Sequence, residues 1–309
     1  MADLTMQAIR YHQFGEPEVL LLEPAPRPEP QPGEVLIRVL AAGVLPVDWK
    51  IRKGLFPLPV QFPVIPGTAM AGIVEEAGPG VTSFKKGQAV FGRSSKGTYA
   101  ELTTAPVEAI ALKPSSLSFV EAATLSGGAS TAWRAIIDGE VKSGDRVLIH
   151  GAAGGVGLFA AQFAKWRGAH VIGTAGPANI DFIRSLGVDT AIDYTSVPFE
   201  QAAQDVDFVL DTVGGQTLER SWSIVKRGGT LITITGQPPM ERGRELGVRV
   251  LRSSLASGQN LTEIAALIDE GHVKTYVQSV FPLDQARQAH ERSESGHGRG
   301  RIVLRVADV

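Results

Sequence analysis

The 309-residue chain contains no cysteine. That excludes disulfides, thiol catalysis and every cysteine-ligated zinc site. Its six histidines, His12, His150, His170, His272, His290 and His297, show no His-x-x-x-His or similar spacing, so no metal is expected. Charge of one sign is also missing: the net charge of −2 gives no basic surface for nucleic acid. No apolar run reaches the length of a membrane span, and Met1–Met6 lacks the basic and apolar regions of a signal peptide. The expectation is a soluble, cytoplasmic protein that engages neither nucleic acid nor membrane.

What is present is a turn-rich globular composition, with 43% hydrophobic and 20% charged residues, 35 glycines and 19 prolines. The length suits two domains, each burying its own core. Residues 7–22 read as two strands around a Gly15-Glu-Pro17 turn, and the alternating prolines from Glu23 to Gly33 impose an extended spacer. Glu34–Ala42 is a strong strand, and Val47–Arg52 reads as one or two helical turns. Short strands at Gly72–Glu76, Ala89–Phe91 and Thr98–Leu102, separated by Gly and Pro, suggest a β-barrel-like domain. Near Ser118 the texture changes. Helical composition over Phe119–Leu125 and Ala129–Ile137 gives way to alternating strands and helices, the mark of a doubly wound parallel sheet. Two amphipathic helices, Leu261–Glu270 and Pro282–Glu291, and a strand at Arg301–Val306 close the chain.

The junction of chemical interest is Val147–Lys165. An apolar strand, Val147–Ile149, runs into Gly151-Ala-Ala-Gly-Gly-Val-Gly157, and Phe159, Phe163 and Trp166 then recur at helical spacing. A second apolar strand, His170–Thr174, follows at the interval of a βαβ unit. In such a turn, glycines let the backbone approach a pyrophosphate, which rests on N–H groups at the helix N-terminus. Against GxGxxG, Ala152 replaces the first glycine, while Gly154 and Gly157 hold the second and third. The cradle therefore comprises Ala153, Gly154, Gly155, Val156 and Gly157. The second strand ends in Thr174-Ala175-Gly176 with no carboxylate to hold a ribose 2′-hydroxyl, which favours NADPH over NADH. Thr174, Ala175 and Tyr194 are placed beside the adenosine or its phosphate.

The chain resembles the zinc-independent quinone oxidoreductase branch, with its zeta-crystallin-like proteins, of the medium-chain dehydrogenase/reductase superfamily. The resemblance runs nearly end to end. It is carried by Gly33–Val39, Ala41–Lys50, Phe62–Gly67, Ala71–Glu75, Gly78–Thr82, Gly97–Glu101, Thr131–Trp133, the glycine turn, Asp211–Gly215 and Gly300–Leu304. It implies a GroES-like β-barrel domain over 1–122, a Rossmann NAD(P)-binding domain over 123–258, and a return to the first domain over 259–309. It also implies that Thr131, Thr212, Val213, Thr235 and Gly236 border the cofactor, and that chains pair as homodimers through an edge strand near Val248–Ser253.

A nicotinamide without a metal implies hydride delivery to a quinone or an α,β-unsaturated carbonyl compound. Asp48 and Lys50 lie in the segment that lines the cleft in similar enzymes, with Leu45 and Trp49 as pocket residues, and Lys50 is the better partner for a developing enolate. The lysine that clamps the 2′-phosphate in similar proteins is missing around Ala178–Ile180, leaving Arg184 or Arg299 to compensate. Leu45 and Ala69 stand where relatives commonly carry Asn and Asp. The alternative is a catalytically weakened NADP(H)-binding protein acting through partners.

Overall fold

The computed structural model describes residues 5–57, 59–296 and 298–308; Met1–Leu4 and His297, both weighed above, lie outside them. The chain divides into two compact units. The first comprises residues 1–127, 257–269 and 275–309, the second residues 128–256 and 270–274. Residues 123–127 group with the first unit, where small residues permit close packing: a Cβ on Gly43 would lie 2.5 Å from the carbonyl oxygen of Ala123.

In the first unit a hairpin of β1 (Thr5–Arg10) and β2 (Leu21–Pro26) stands beside a seven-stranded sheet. That sheet is built from β3 (Glu34–Val44), β4 (Ala69–Ala77), β5 (Ala89–Arg93), β6 (Leu102–Pro106), β7 (Ile110–Leu112), β14 (Val277–Pro282) and β15 (Arg301–Arg305). The order is β14-β15-β3-β4-β5-β7, with β6 also on β3. β3 is its spine, and its near-continuous apolar sequence matches burial on both faces. Its core includes Ile37, Val39, Val44, Met70, Val74, Val90, Tyr99 and Ile302. The helices are α1 (Pro46–Arg52), α2 (Phe119–Ala122), α9 (Gly258–Asp269) and α10 (Ala286–Glu294).

The second unit carries a six-stranded parallel sheet. Its strands are β8 (Arg146–Ile149), β9 (His170–Ala175), β10 (Thr190–Asp193), β11 (Val206–Asp211), β12 (Val225–Thr233) and β13 (Arg249–Leu251), in the order β10-β9-β8-β11-β12-β13. The order reverses between β8 and β11, and in open α/β sheets the ligand crevice lies at the carboxyl ends of the strands at such a point. Between strands run α3 (Ser130–Asp138), α4 (Gly157–Trp166), α5 (Ile180–Ser185), α6 (Phe199–Ala202), α7 (Gly215–Ser221) and α8 (Met240–Leu246).

Three sequence expectations shift. Thr98–Leu102 is not a continuous strand: Thr98 and Tyr99 N–H both donate to Pro66 O, Ala100 makes a lone bridge to Ala8, and β6 begins only at Leu102. Gly97, at φ +92°, turns the chain there and sends Tyr99 inward. α2 stops at Ala122, and Gly127, at φ +72°, separates it from α3. α10 starts at Ala286, after a short 3-10 turn over Leu283–Gln285. β14 is a strand that no sequence pattern announces, because Gln278 and Ser279 interrupt its apolar run.

Candidate functional site

The glycine turn joins β8 to α4 through tightly specified backbone. Gly151 adopts φ +69°, its N–H meets Thr174 Oγ1 at 3.2 Å, and Ala152 N–H donates to Thr174 O at 2.9 Å. A Cβ on Gly157 would lie 2.2 Å from Gly151 O and 2.8 Å from Ala152 Cα, so only glycine lets the helix start this close to the turn. Gly154 differs: a Cβ there would meet only Gly151 O, at 3.3 Å. Its small size is not demanded by packing inside the unit, as expected where a ligand approaches the backbone. The N–H groups of Ala153 and Val156 take no acceptor among the described residues. The residues present thus fit a pyrophosphate.

Beneath the turn lies His150, for which the sequence alone suggests no role beyond metal ligation. Its ring is fully buried, with Nε2 at 3.0 Å from Ser221 Oγ and Nδ1 at 3.2 Å from Thr174 Oγ1. Ser221 donates its own hydrogen to Thr217 O at 2.7 Å, so it accepts from His150 and fixes the Nε2–H tautomer. Burial depresses the imidazole to about 4, and it stands neutral. Thr174 is 3% exposed, and its hydroxyl belongs to this internal network. Ala175 is buried as well.

Along the same carboxyl edge, Asp211 organises the turn after β11. Its Oδ1 accepts the N–H groups of Val213 at 3.0 Å and Gly214 at 2.8 Å, while Oδ2 accepts the Thr233 hydroxyl at 2.7 Å. The Thr235 hydroxyl joins them at 3.4 Å, and Thr212 Oγ1 donates to His150 O at 2.7 Å. Val213 is left 54% exposed at the edge, and Gly236 has open space around it. Tyr194, after β10, is 58% exposed beside Gly176. The sheet thus collects the glycine turn, Tyr194, Thr212, Val213, Thr235 and Gly236 at one set of strand ends. Thr131 lies in the first turn of α3, and Arg299 in the first unit. Arg184 is exposed, with Nη1 3.0 Å from the exposed Asp181 carboxylate. Asp193, the register partner of Ala175, turns its carboxylate onto Thr195 and Ser196.

In the first unit the candidate reacting groups sit on α1. Pro46 opens the helix, and Asp48 Oδ2 reaches back to the N–H of Leu45 at 2.8 Å. Asp48 is 3% exposed and also accepts the Tyr99 hydroxyl at 3.2 Å. Burial pushes its carboxyl up to about 7, against the two donors and Arg301, which favour the anion. Its oxygen Oδ2 is committed to the helix, which leaves Lys50 as the more available of the two. Lys50 is half-buried, with Nζ 5.6 Å from the Trp49 ring centre and no carboxylate partner among the described residues. Trp49 is half-buried with an unpaired Nε1. Leu45 is buried, packed where a Cβ on Gly127 would come within 2.5 Å of its Cδ1. Ala69 is fully buried opposite Gly43.

A barrel-like unit with a second, doubly wound unit bearing a glycine-turn cradle defines a two-domain nucleotide-dependent oxidoreductase. Comparison with known proteins agrees. Residues 31–115 match a family described as "Alcohol dehydrogenase GroES-like domain" and residues 186–304 one described as "Zinc-binding dehydrogenase". A quinone oxidoreductase of Mus musculus is 33% identical, over 97% of this chain and 97% of that protein. A chloroplastic NADPH-dependent alkenal/one oxidoreductase of Arabidopsis thaliana is 32% identical, over 97% of this chain and 79% of that protein. The solved structure of the quinone oxidoreductase from Coxiella burnetii superposes with a TM-score of 0.92 at 34% identity, over 98% of this chain and 100% of that one. The chain belongs to the medium-chain dehydrogenase/reductase superfamily and is a quinone oxidoreductase-like oxidoreductase. The second description names zinc, but this chain offers no cysteine, and no three His, Asp or Glu side chains cluster among the described residues. Among the described residues no donor set fits a zinc site.

Proposed function

We propose that the protein is an NADPH-dependent, metal-independent reductase of quinones or α,β-unsaturated carbonyl compounds. The observation that carries this is the glycine turn at the strand-order reversal, where Gly154 leaves room that packing does not require. When bound there, the reduced nicotinamide supplies a hydride to a carbon already polarised by conjugation. The backbone N–H groups of Ala153 and Val156 take the pyrophosphate, and the exposed faces of Tyr194 and Val213 flank the rest of the dinucleotide. No carboxylate stands at the tip of β9 to repel a 2′-phosphate, which supports NADPH over NADH.

Lys50 serves the acceptor oxygen. Its ammonium donates a hydrogen bond to the negative charge that develops there and stabilises it before water can protonate the product. The packing role of Leu45 weakens the ground for reading the chain as a catalytically impaired binding protein. No helix among the described residues is long and apolar enough to cross a membrane, and we take the enzyme to work in the cytoplasm. Its short β13 ends the parallel sheet, and pairing of two such edges would make a homodimer.

The test is to follow NADPH and NADH oxidation with a panel of quinones and enones, with and without a chelator. Oxidation that prefers NADPH and ignores the chelator is expected. NADPH binding without oxidation by either acceptor class would overturn the proposal.

A further inference from the structure

Behind α1 lies a line of buried polar groups that the reduction chemistry does not itself require. Arg52, at the end of α1, is fully buried. Its Nε donates to Gly15 O at 3.1 Å, its Nη2 to Glu294 Oε1 at 2.5 Å, and its Nη1 faces His290 Nδ1 at 3.3 Å. His290, fully buried on α10, presents Nε2 to the Tyr99 hydroxyl at 3.3 Å, and Tyr99 reaches Asp48 Oδ2 at 3.2 Å. The direction of every hydrogen in this line follows from its first member. A guanidinium has donors only, so His290 Nδ1 must accept and its proton must sit on Nε2. That proton goes to Tyr99 Oη, whose own hydrogen then goes to Asp48. Protonating Asp48 at Oδ2 would reverse the Tyr99 hydroxyl and force a hydrogen onto His290 Nδ1, against Arg52. A proton on Asp48 is therefore confined to Oδ1, and the line holds in both ionisation states. Because the line ends on a guanidinium that does not release a proton, it cannot conduct protons to the surface.

We propose that Arg52, His290 and Tyr99 form one positioning unit, a donor line of fixed direction that clamps Asp48 Oδ2 and thereby holds the first turn of α1, with Lys50, in register for the acceptor oxygen. The unit spans three separate segments: α1, the Gly97–Glu101 turn and α10. Its outer end is tied down by Glu294, which also takes Lys53 at 2.6 Å, while Lys53 reaches Glu16 at 2.8 Å. The other charged or titratable groups facing it are Arg301, whose charge acts on Asp48, and Tyr11, a neutral phenol pushed up to about 12 by burial and by the Asp48 charge, against Arg52. Tyr99 packs edge-on to His290, with ring centres 5.7 Å apart, so removing its hydroxyl alone leaves that packing in place. The role assigned to Lys50 rests on the proposed reduction; the hydrogen-bond direction does not.

Two measurements test the unit separately from the reaction. In the unliganded protein, ring ¹⁵N shifts should report His290 as a neutral Nε2–H tautomer from pH 8 to 5, and an Nδ1–H tautomer or an imidazolium in that range would overturn the inference. In Tyr99→Phe, the ¹³C titration of the Asp48 carboxyl should move upward, since the anion loses a donor, while NADPH affinity stays within twofold. With whichever acceptor the wild type reduces, the same variant should lose about tenfold in kcat with little change in KM. An unmoved Asp48 titration, or unchanged kcat, would reduce Tyr99 to a packing residue. If the wild type reduces no acceptor, the proposed function fails while the tautomer and the Asp48 titration still judge the donor line.

Discussion

Two side chains carry the residue-scale argument. Lys50 is the half-buried cation on α1 with no carboxylate partner among the described residues. Lys50→Met keeps the aliphatic stem and removes the donor, so kcat should fall by about 10²-fold while NADPH affinity, set by the other unit, is unchanged. Steady-state kinetics with a fluorescence titration of NADPH decides it; loss of cofactor binding would mean that Lys50 holds the nucleotide instead. Ala69 tests the opposite kind of position. It is fully buried between Gly43 and Arg93 in the sheet, and a carboxylate there would have no room for water. Ala69→Asp, although it restores the residue expected from the family resemblance, should destabilise the first unit by about 3 kcal/mol or more, read as a lower urea midpoint. Wild-type stability would show that this backbone keeps a polar site in reserve.

At the scale of elements, the glycine turn separates two jobs that one motif combines. Gly157→Ala puts a methyl into backbone atoms of Gly151 and Ala152, so it should cost stability by about 1–3 kcal/mol whether or not cofactor is present. Gly154→Ala meets only one oxygen at 3.3 Å and should leave stability within about 1 kcal/mol, yet weaken NADPH by tenfold or more because the methyl points where phosphate must come. Thermal melts and Kd values for both variants check this, and equal effects on both readouts would remove the distinction. The turn was legible because strand, glycines and helix are contiguous, and so were the βαβ alternation and the buried run of β3. The supports were not. His150 and Ser221 are 71 positions apart, and Asp48 and His290 are further still, so no local pattern announces them. The visible trace was faint: His290 follows Ala286 and Ala289 on the buried stripe of α10, a polar residue at an apolar period. The same holds for Thr174, whose position at a strand tip is local information and whose bond to His150 is not.

On the scale of the whole molecule, mild acid should act on the two units differently. The second unit contains His150, lowered by burial to about 4, and the first contains His290, lowered by burial to about 3. Unfolded, each titrates near 6.5, so between pH 7 and 5 the unfolded chain takes up protons that the folded chain refuses. The stability from each neutral imidazole is full above 6.5 and falls as pH drops, by about 2 kcal/mol at pH 5 for each ring. Asp48 has the opposite sign. Burial raises it from 3.8 to about 7, so folding favours its protonated form, and the same acid step returns about 2 kcal/mol to the first unit. The lowered carboxylates Asp189, Asp193, Glu200, Asp207, Asp269 and Glu294 are largely ionised in both states at pH 5 and add little in this window. His290 and Asp48 therefore nearly cancel in the first unit, while His150 has no opposing carboxyl in the second. Amide exchange corrected for intrinsic rates should show the free energy protecting β8, β9 and β11 falling by about 2 kcal/mol from pH 7 to 5, with β3 and β4 changing by less than about 1 kcal/mol. His150→Gln should flatten the pH dependence of the second unit without touching the first, and a parallel decline in both units of the wild type would show that the buried imidazoles do not set the response.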